Sequence, residues 1–142
     1  MTLTKSELEM MHVIWDAGRP VSRNEILAMA GSNKSWKDSS VHILLNGLLR
    51  KQAIKEDGFV KCGKTYGRLF SANISREAYY AEEVFAFGGR ESVPALLSAL
   101  LHRDGLDDAL LDELMTIIKD KKGELKMMNG NQIGCLLLHY IL

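Results

Sequence analysis

The sequence predicts a mostly α-helical chain with one small β-wing, organised in two parts. Three observations predict it. Two capping boxes open short amphipathic helices near the N-terminus, a third amphipathic helix runs straight into two short strands, and leucine-rich helical stretches fill the second half.

Thr4-Lys5-Ser6-Glu7 is the first box: the Thr4 hydroxyl can accept from the Glu7 amide while the Glu7 carboxylate reaches back to the Thr4 amide, and Leu3 and Leu8 flank it as a hydrophobic staple. The helix it opens places Leu8, Met11, Ile14 and Trp15 on one face and stops near Asp16-Ala17-Gly18, where glycine takes a left-handed C′ conformation without a Cβ clash. Ser22-Arg23-Asn24-Glu25 repeats the box and Val21 with Ile26 repeats the staple, so a second helix of roughly nine residues follows Pro20 and ends at Gly31. From Ser39 to Lys51 the apolar residues Val41, Leu44, Leu45, Leu48 and Leu49 fall at i, i+3, i+4, i+7 and i+8, which is one buried stripe of a third helix. The connector Gly31 to Ser35 is slightly long for the tightest helix-turn-helix, and winged variants accommodate that.

After Arg50-Lys51-Gln52 the pattern becomes extended. Ala53 to Glu56 leads into Asp57-Gly58, a pair suited to a tight turn, and Phe59 to Cys62 leads out towards a second turn signal at Gly63-Lys64-Thr65. The wing loop is therefore expected between Asp57 and Thr65, ahead of the strand Tyr66 to Phe70. Three helices and a hairpin in this order predict a winged helix-turn-helix over residues 1–74.

The face of the third helix opposite the stripe carries Ser39, His42, Ile43, Asn46 and Arg50. A helix of this size fits the major groove of B-DNA, so Ser39, Ser40, His42, Ile43 and Asn46 are the candidate base-proximal residues; Asn46 suits adenine and Ile43 a thymine methyl. Lys37, Arg50, Lys51, Lys61, Lys64 and Arg68 are the candidate phosphate contacts. The whole chain holds 18 basic and 18 acidic residues, which by itself argues against a nucleic-acid partner. The distribution reverses that argument: residues 34–68 hold eight Lys and Arg against three Asp and Glu, a local net charge of +5, and the remainder is correspondingly acidic.

Residues 75–122 read as a helical dimerisation domain. Ser75 starts a helix that runs through Tyr79, Tyr80, Val84 and Phe85 to a break at Gly88-Gly89; Ser92 opens a second, with Leu96, Leu97, Leu100 and Leu101; Asp107 opens a third, with Leu110, Leu111, Leu114, Ile117 and Ile118. Helices this short and this rich in leucine need a covering surface, either the winged helix of their own chain or a second copy. A symmetric homodimer is the favoured reading because its two-fold axis also pairs two reading helices for a palindromic double-stranded DNA operator. The candidate dimer residues are Tyr80, Val84, Leu97, Leu100, Leu101, Leu110, Leu111, Leu114, Ile117 and Ile118.

These residues resemble the BlaI/MecI penicillinase repressors, a family that includes the CopY copper repressors. The resemblance runs from Leu3-Thr4-Lys5-Ser6-Glu7-Leu8-Glu9 through Val13-Ile14-Trp15, Ser35-Trp36, Ser40-Val41 and Leu44-Leu45 to Arg68-Leu69-Phe70-Ser71 with Ile74-Ser75. It continues in Ala95 to Leu101 and in Leu110-Leu111-Asp112-Glu113-Leu114, covering about residues 3–121. It implies a dimeric transcriptional repressor of β-lactamase or other resistance genes, released from its operator when a membrane sensor-protease pathway cleaves it within the C-terminal helices. Three positions depart from the family pattern. Gly47 stands where the family has an arginine, Lys37-Asp38 replaces a Ser-Pro helix start and leaves Ser35 and Asp38 both open as the cap, and Ala99-Leu100 occupies the place of the cleaved Asn-Phe bond.

Other functions find less in the sequence. Copper-responsive relatives carry a Cys-x-Cys pair near the C-terminus, whereas Cys62 and Cys135 stand far apart and His12, His42, His102 and His139 share no ligand spacing, so neither a metal nor a cofactor is expected. With two cysteines and no secretory signal, the expected location is the cytoplasm. An enzyme would need a nucleophile and base at a recognisable spacing, and none is present. The alternative class is a winged helix that binds protein and has no operator of its own; it would show an uncharged or acidic recognition face. The tail, residues 123–142, ends in an apolar run from Ile133 that is too short for a bilayer, which takes about 20 residues. That tail packs on the dimer, lies exposed, or is an appended out-of-frame sequence, and no membrane partner is expected.

Overall fold

The computed structural model describes the backbone of residues 1–141 and the side chains of residues 1–130. Cys135, His139 and the apolar run Ile133 to Leu142 lie outside the described side chains. The elements are α1 (Lys5–Ala17), β1 (Val21–Ser22), α2 (Arg23–Ala30), a 3₁₀ turn (Asp38–Ser40), α3 (Val41–Arg50), β2 (Ile54–Cys62), β3 (Thr65–Ala72), α4 (Arg76–Gly88), α5 (Ser92–Leu101) and α6 (Asp108–Ile141). They form two compact units, Met1–Ser92 and Val93–Leu142. The first is a winged helix-turn-helix.

Both capping boxes close as expected. The Glu7 amide donates to Thr4 Oγ1 at 3.2 Å and the Thr4 amide to Glu7 Oε1 at 2.9 Å, while the Glu25 amide donates to Ser22 Oγ at 3.2 Å. Gly18 ends α1 at φ 64°. The α3 stripe is buried at Val41, Leu45 and Leu48, which meet Met10, Met11 and Ile14 of α1, Ile26 of α2 and Phe70 of β3 in one core. Neither Ser35 nor Asp38 caps α3. Ser35 donates both its amide and its hydroxyl to Glu9 Oε2, Asp38 pairs with Lys34 at 2.7 Å, and the 3₁₀ turn leads the chain into the helix instead.

The hairpin departs from expectation. Asp57-Gly58 is not its turn: β2 continues through them to Cys62, and the pair forms a β-bulge opposite Leu69, between the registers Glu56↔Phe70 and Phe59↔Arg68. Gly58 has φ 99°, so the positive φ anticipated there serves an inserted residue within the strand. The reversal comes at Gly63-Lys64, between the paired Cys62 and Thr65, with Gly63 at φ 61°. A third strand also joins the sheet: β1 pairs with β3, Val21 opposite Phe70, giving the antiparallel order β1-β3-β2. Two residues are too few to show a period of two, which is why Val21 and Ser22 read only as a staple and a cap.

α4 packs on α1 within the first unit. Tyr79 is buried beside Trp15 with ring centroids 5.9 Å apart, Tyr80 Oη hydrogen-bonds His12 Nε2 at 2.9 Å, and Arg76 pairs with Asp16. Trp15 Nε1 donates to the Ile74 carbonyl at 2.8 Å and fixes the start of the helix. In the second unit, Asp107 caps α6 by accepting from the Leu110 amide at 2.9 Å. No residue from Val93 to Gly130 is buried. Helix α6 runs on past Gly123, where the sequence left the tail open, to Ile141. Among the described residues no helix is long and apolar enough to cross a membrane.

Candidate nucleic-acid interface

Burying Val41, Leu45 and Leu48 turns the opposite face of α3 outward. His42, Ile43, Asn46 and Arg50 are all exposed, Ile43 by 71%, an unusual display for a β-branched apolar side chain on a helix whose core face is filled. Ser39 is exposed in the 3₁₀ turn and Ser40 is half-buried at its end. The base-proximal candidates thus share one outward strip, with Lys37 exposed just before it.

Among the other cations, Lys61 and Lys64 are exposed on the hairpin, Lys64 at its very tip. Arg68 pairs with Glu56 at 2.7 Å and lies over the Phe70 ring at 5.1 Å. Lys51 is turned inward: its Nζ lies 2.6 Å from Glu7 Oε1 and 2.9 Å from the Thr2 carbonyl.

That inward turn explains Gly47. Glu7 is buried, and a Cβ built on Gly47 would stand 2.9 Å from Glu7 Oε2, so the glycine supplies the space in which the carboxylate sits. Glycine in a helix interior costs about 1 kcal/mol relative to alanine. Here that cost accompanies a partly buried ion pair tying the start of α1 to the end of α3. Burial raises the Glu7 pKa, but the hydrogen bonds from Lys51 and Thr4 outweigh it and hold the carboxyl below the usual carboxylate range.

The fold also assembles residues that the sequence did not single out. A groove of about 350 Å³ opens between the start of α2, α3 and the hairpin, lined by Arg23, Asn24, His42, Tyr66 and Arg68 among others. Arg23 and Asn24 read in sequence only as the interior of a capping box. Tyr66, 71% exposed, read only as a strand residue. No one-dimensional signal links the three, because strand pairing and helix packing bring them together. Among the described residues no group of three or more His, Cys, Asp or Glu side chains is placed to hold a metal ion.

A model of the penicillinase repressor family matches residues 3–120. The chain belongs to the penicillinase repressor family. The match covers the whole winged helix, α5 and the first part of α6. No curated protein matches the chain. Members of this family are DNA-binding transcriptional regulators rather than enzymes, and this repressor has the winged helix-turn-helix and helical C-terminus that go with that role.

Proposed function

We propose that this repressor acts as a homodimer on a palindromic operator controlling β-lactamase or other resistance genes, in the cytoplasm. The observation that carries the DNA reading is the outward strip of α3. Ser39, Ser40, His42, Ile43 and Asn46 face base edges in the major groove, with Lys37 and Arg50 beside the strip and Lys61 and Lys64 on the hairpin contacting phosphates. Lys51 and Arg68 are already paired with Glu7 and Glu56, carboxylates that compete with phosphate for them.

Dimerisation is supported by the second unit. Its apolar residues are left open: Leu100, Leu101, Leu111, Ile117 and Ile118 are 37–59% exposed, and Leu97, Leu110 and Leu114 are only half-buried. A contiguous apolar surface of this kind marks an association site. Tyr80, exposed, and Val84, half-buried, on α4 of the first unit are further dimer candidates. The resemblance suggests relief of repression by a sensor-protease pathway, although Ala99-Leu100, exposed in α5, replaces the family's cleaved Asn-Phe bond.

The test is a binding-site selection with purified protein at two salt concentrations, followed by titration of Asn46→Ala and Lys64→Ala. A palindrome should be enriched. Asn46→Ala should lose about 1–3 kcal/mol of discrimination between operator and random DNA, whereas Lys64→Ala should weaken both alike and flatten the salt dependence. Failure to enrich any palindrome, with binding lost at moderate salt, would overturn the specific-operator reading.

A further inference from the structure

The groove between α2, α3 and the hairpin is contiguous with the outward strip of α3 through His42 and with the hairpin cations through Tyr66. Two guanidinium groups line it, Arg23 and Arg68, and no Asp or Glu does. Arg68 is paired with Glu56, but among the described residues Arg23 has no ion pair, and its Nε is shielded from solvent without a hydrogen-bond partner. In the first turn of α2 the Glu25 amide is already taken, donating to Ser22 Oγ. What the groove offers is side chains: one guanidinium without a protein acceptor, the amide of exposed Asn24 and the hydroxyl of exposed Tyr66.

We infer that this groove takes the sugar-phosphate backbone of the DNA strand beside the bases that α3 reads, with Arg23 as a phosphate contact and Asn24 and Tyr66 as hydrogen-bond donors to the same stretch. The inference rests on the DNA reading above and extends it to residues on α2 and β3. The chemistry fits the occupant. A guanidinium matches phosphate oxygens in a planar fork, amide and phenol donors complete the contact, and the apolar floor accommodates the deoxyribose.

The experiment measures operator affinity against salt concentration for the full chain and four variants. Arg23→Met keeps the aliphatic stem and removes the charge; it should bind roughly 3- to 10-fold more weakly to operator and random DNA alike, with the slope of log K against log salt reduced by about 0.9. Arg23→Lys should restore the slope, which a merely structural role would not require. Asn24→Asp places a carboxylate in the exposed first turn of α2, where it favours the helix, yet it should weaken binding because it faces phosphate. It therefore decides the matter if Arg23→Met fails to fold. Wild-type affinity and slope in Asn24→Asp, or in a folded Arg23→Met, overturn the inference, while loss of binding in the Lys64→Ala control leaves the DNA reading standing. Absence of sequence-selective binding by the unaltered chain would instead remove the DNA reading itself.

Discussion

Replacing Lys51 by methionine should expose how much the first unit depends on one ion pair. The substitution removes the ammonium that lies 2.6 Å from Glu7 Oε1 and 2.9 Å from the Thr2 carbonyl, and leaves a carboxylate whose side chain is 6% exposed with its bond to the Thr4 amide. Breaking a fully buried pair costs about 3–5 kcal/mol, and a single hydrogen bond to a charged group is worth about 1.5–3 kcal/mol. Lys51 is 36% exposed, so water screens part of the interaction and the lower range applies: about 1.5–3 kcal/mol. For a domain of this size each kcal/mol moves the melting temperature by about 4–8 °C, so thermal unfolding should begin roughly 6–24 °C lower at pH 7. The pH dependence has a defined sign. Because Glu7 has a depressed pKa in the folded state, its contribution is fully present above the unfolded carboxyl value, about 4.3, and is lost as pH falls through the folded value. The gap between the two proteins should therefore narrow from pH 7 towards pH 3 and close in a Glu7→Gln background. A gap below about 0.5 kcal/mol at pH 7, or one unchanged by acid or by Glu7→Gln, would refute the clamp.

Glu56→Gln should leave stability nearly unchanged, since its pair with Arg68 is open to solvent, but should tighten DNA binding by up to roughly 5-fold at low salt because the guanidinium no longer has a competing carboxylate; a titration showing equal or weaker binding would contradict this. Gln52 is the one non-glycine residue with positive φ, 61°, among the described residues, so Gln52→Gly should raise the unfolding free energy by about 0.5–1 kcal/mol in urea titrations. Leu111→Glu together with Ile118→Glu should turn a dimer into monomers by sedimentation and weaken operator binding, while an isolated half-site is bound as before; dimers persisting in the double variant would place the interface elsewhere.

Much of the fold is legible because its signals are local. A capping box needs only residues i and i+3, which is why Thr4 with Glu7 and Ser22 with Glu25 announce two helix starts correctly. The stripe Val41, Leu45, Leu48 reports its own burial, and with it the outward position of His42, Ile43 and Asn46. The hairpin shows where such reasoning stops. Asp57-Gly58 and Gly63-Lys64 are both good turn sequences, and only pairing with β3 decides that the first is a bulge and the second the reversal. Likewise, Ser35 and Asp38 are both good caps, yet Ser35 is drawn off by the Glu9 carboxylate of α1 and Asp38 by the nearby Lys34 ammonium.

By itself, then, the sequence determined the order of the helices and of the two hairpin strands, the outward face of α3 and the family to which the chain belongs, all of which rest on spacings of a few residues. Only the tertiary structure decided why position 47 is glycine, which lysine is held inward, and that Arg23 and Tyr66 share one groove. The reason is physical: periodicity records that a face is covered, while the identity of what covers it depends on chain segments tens of residues away.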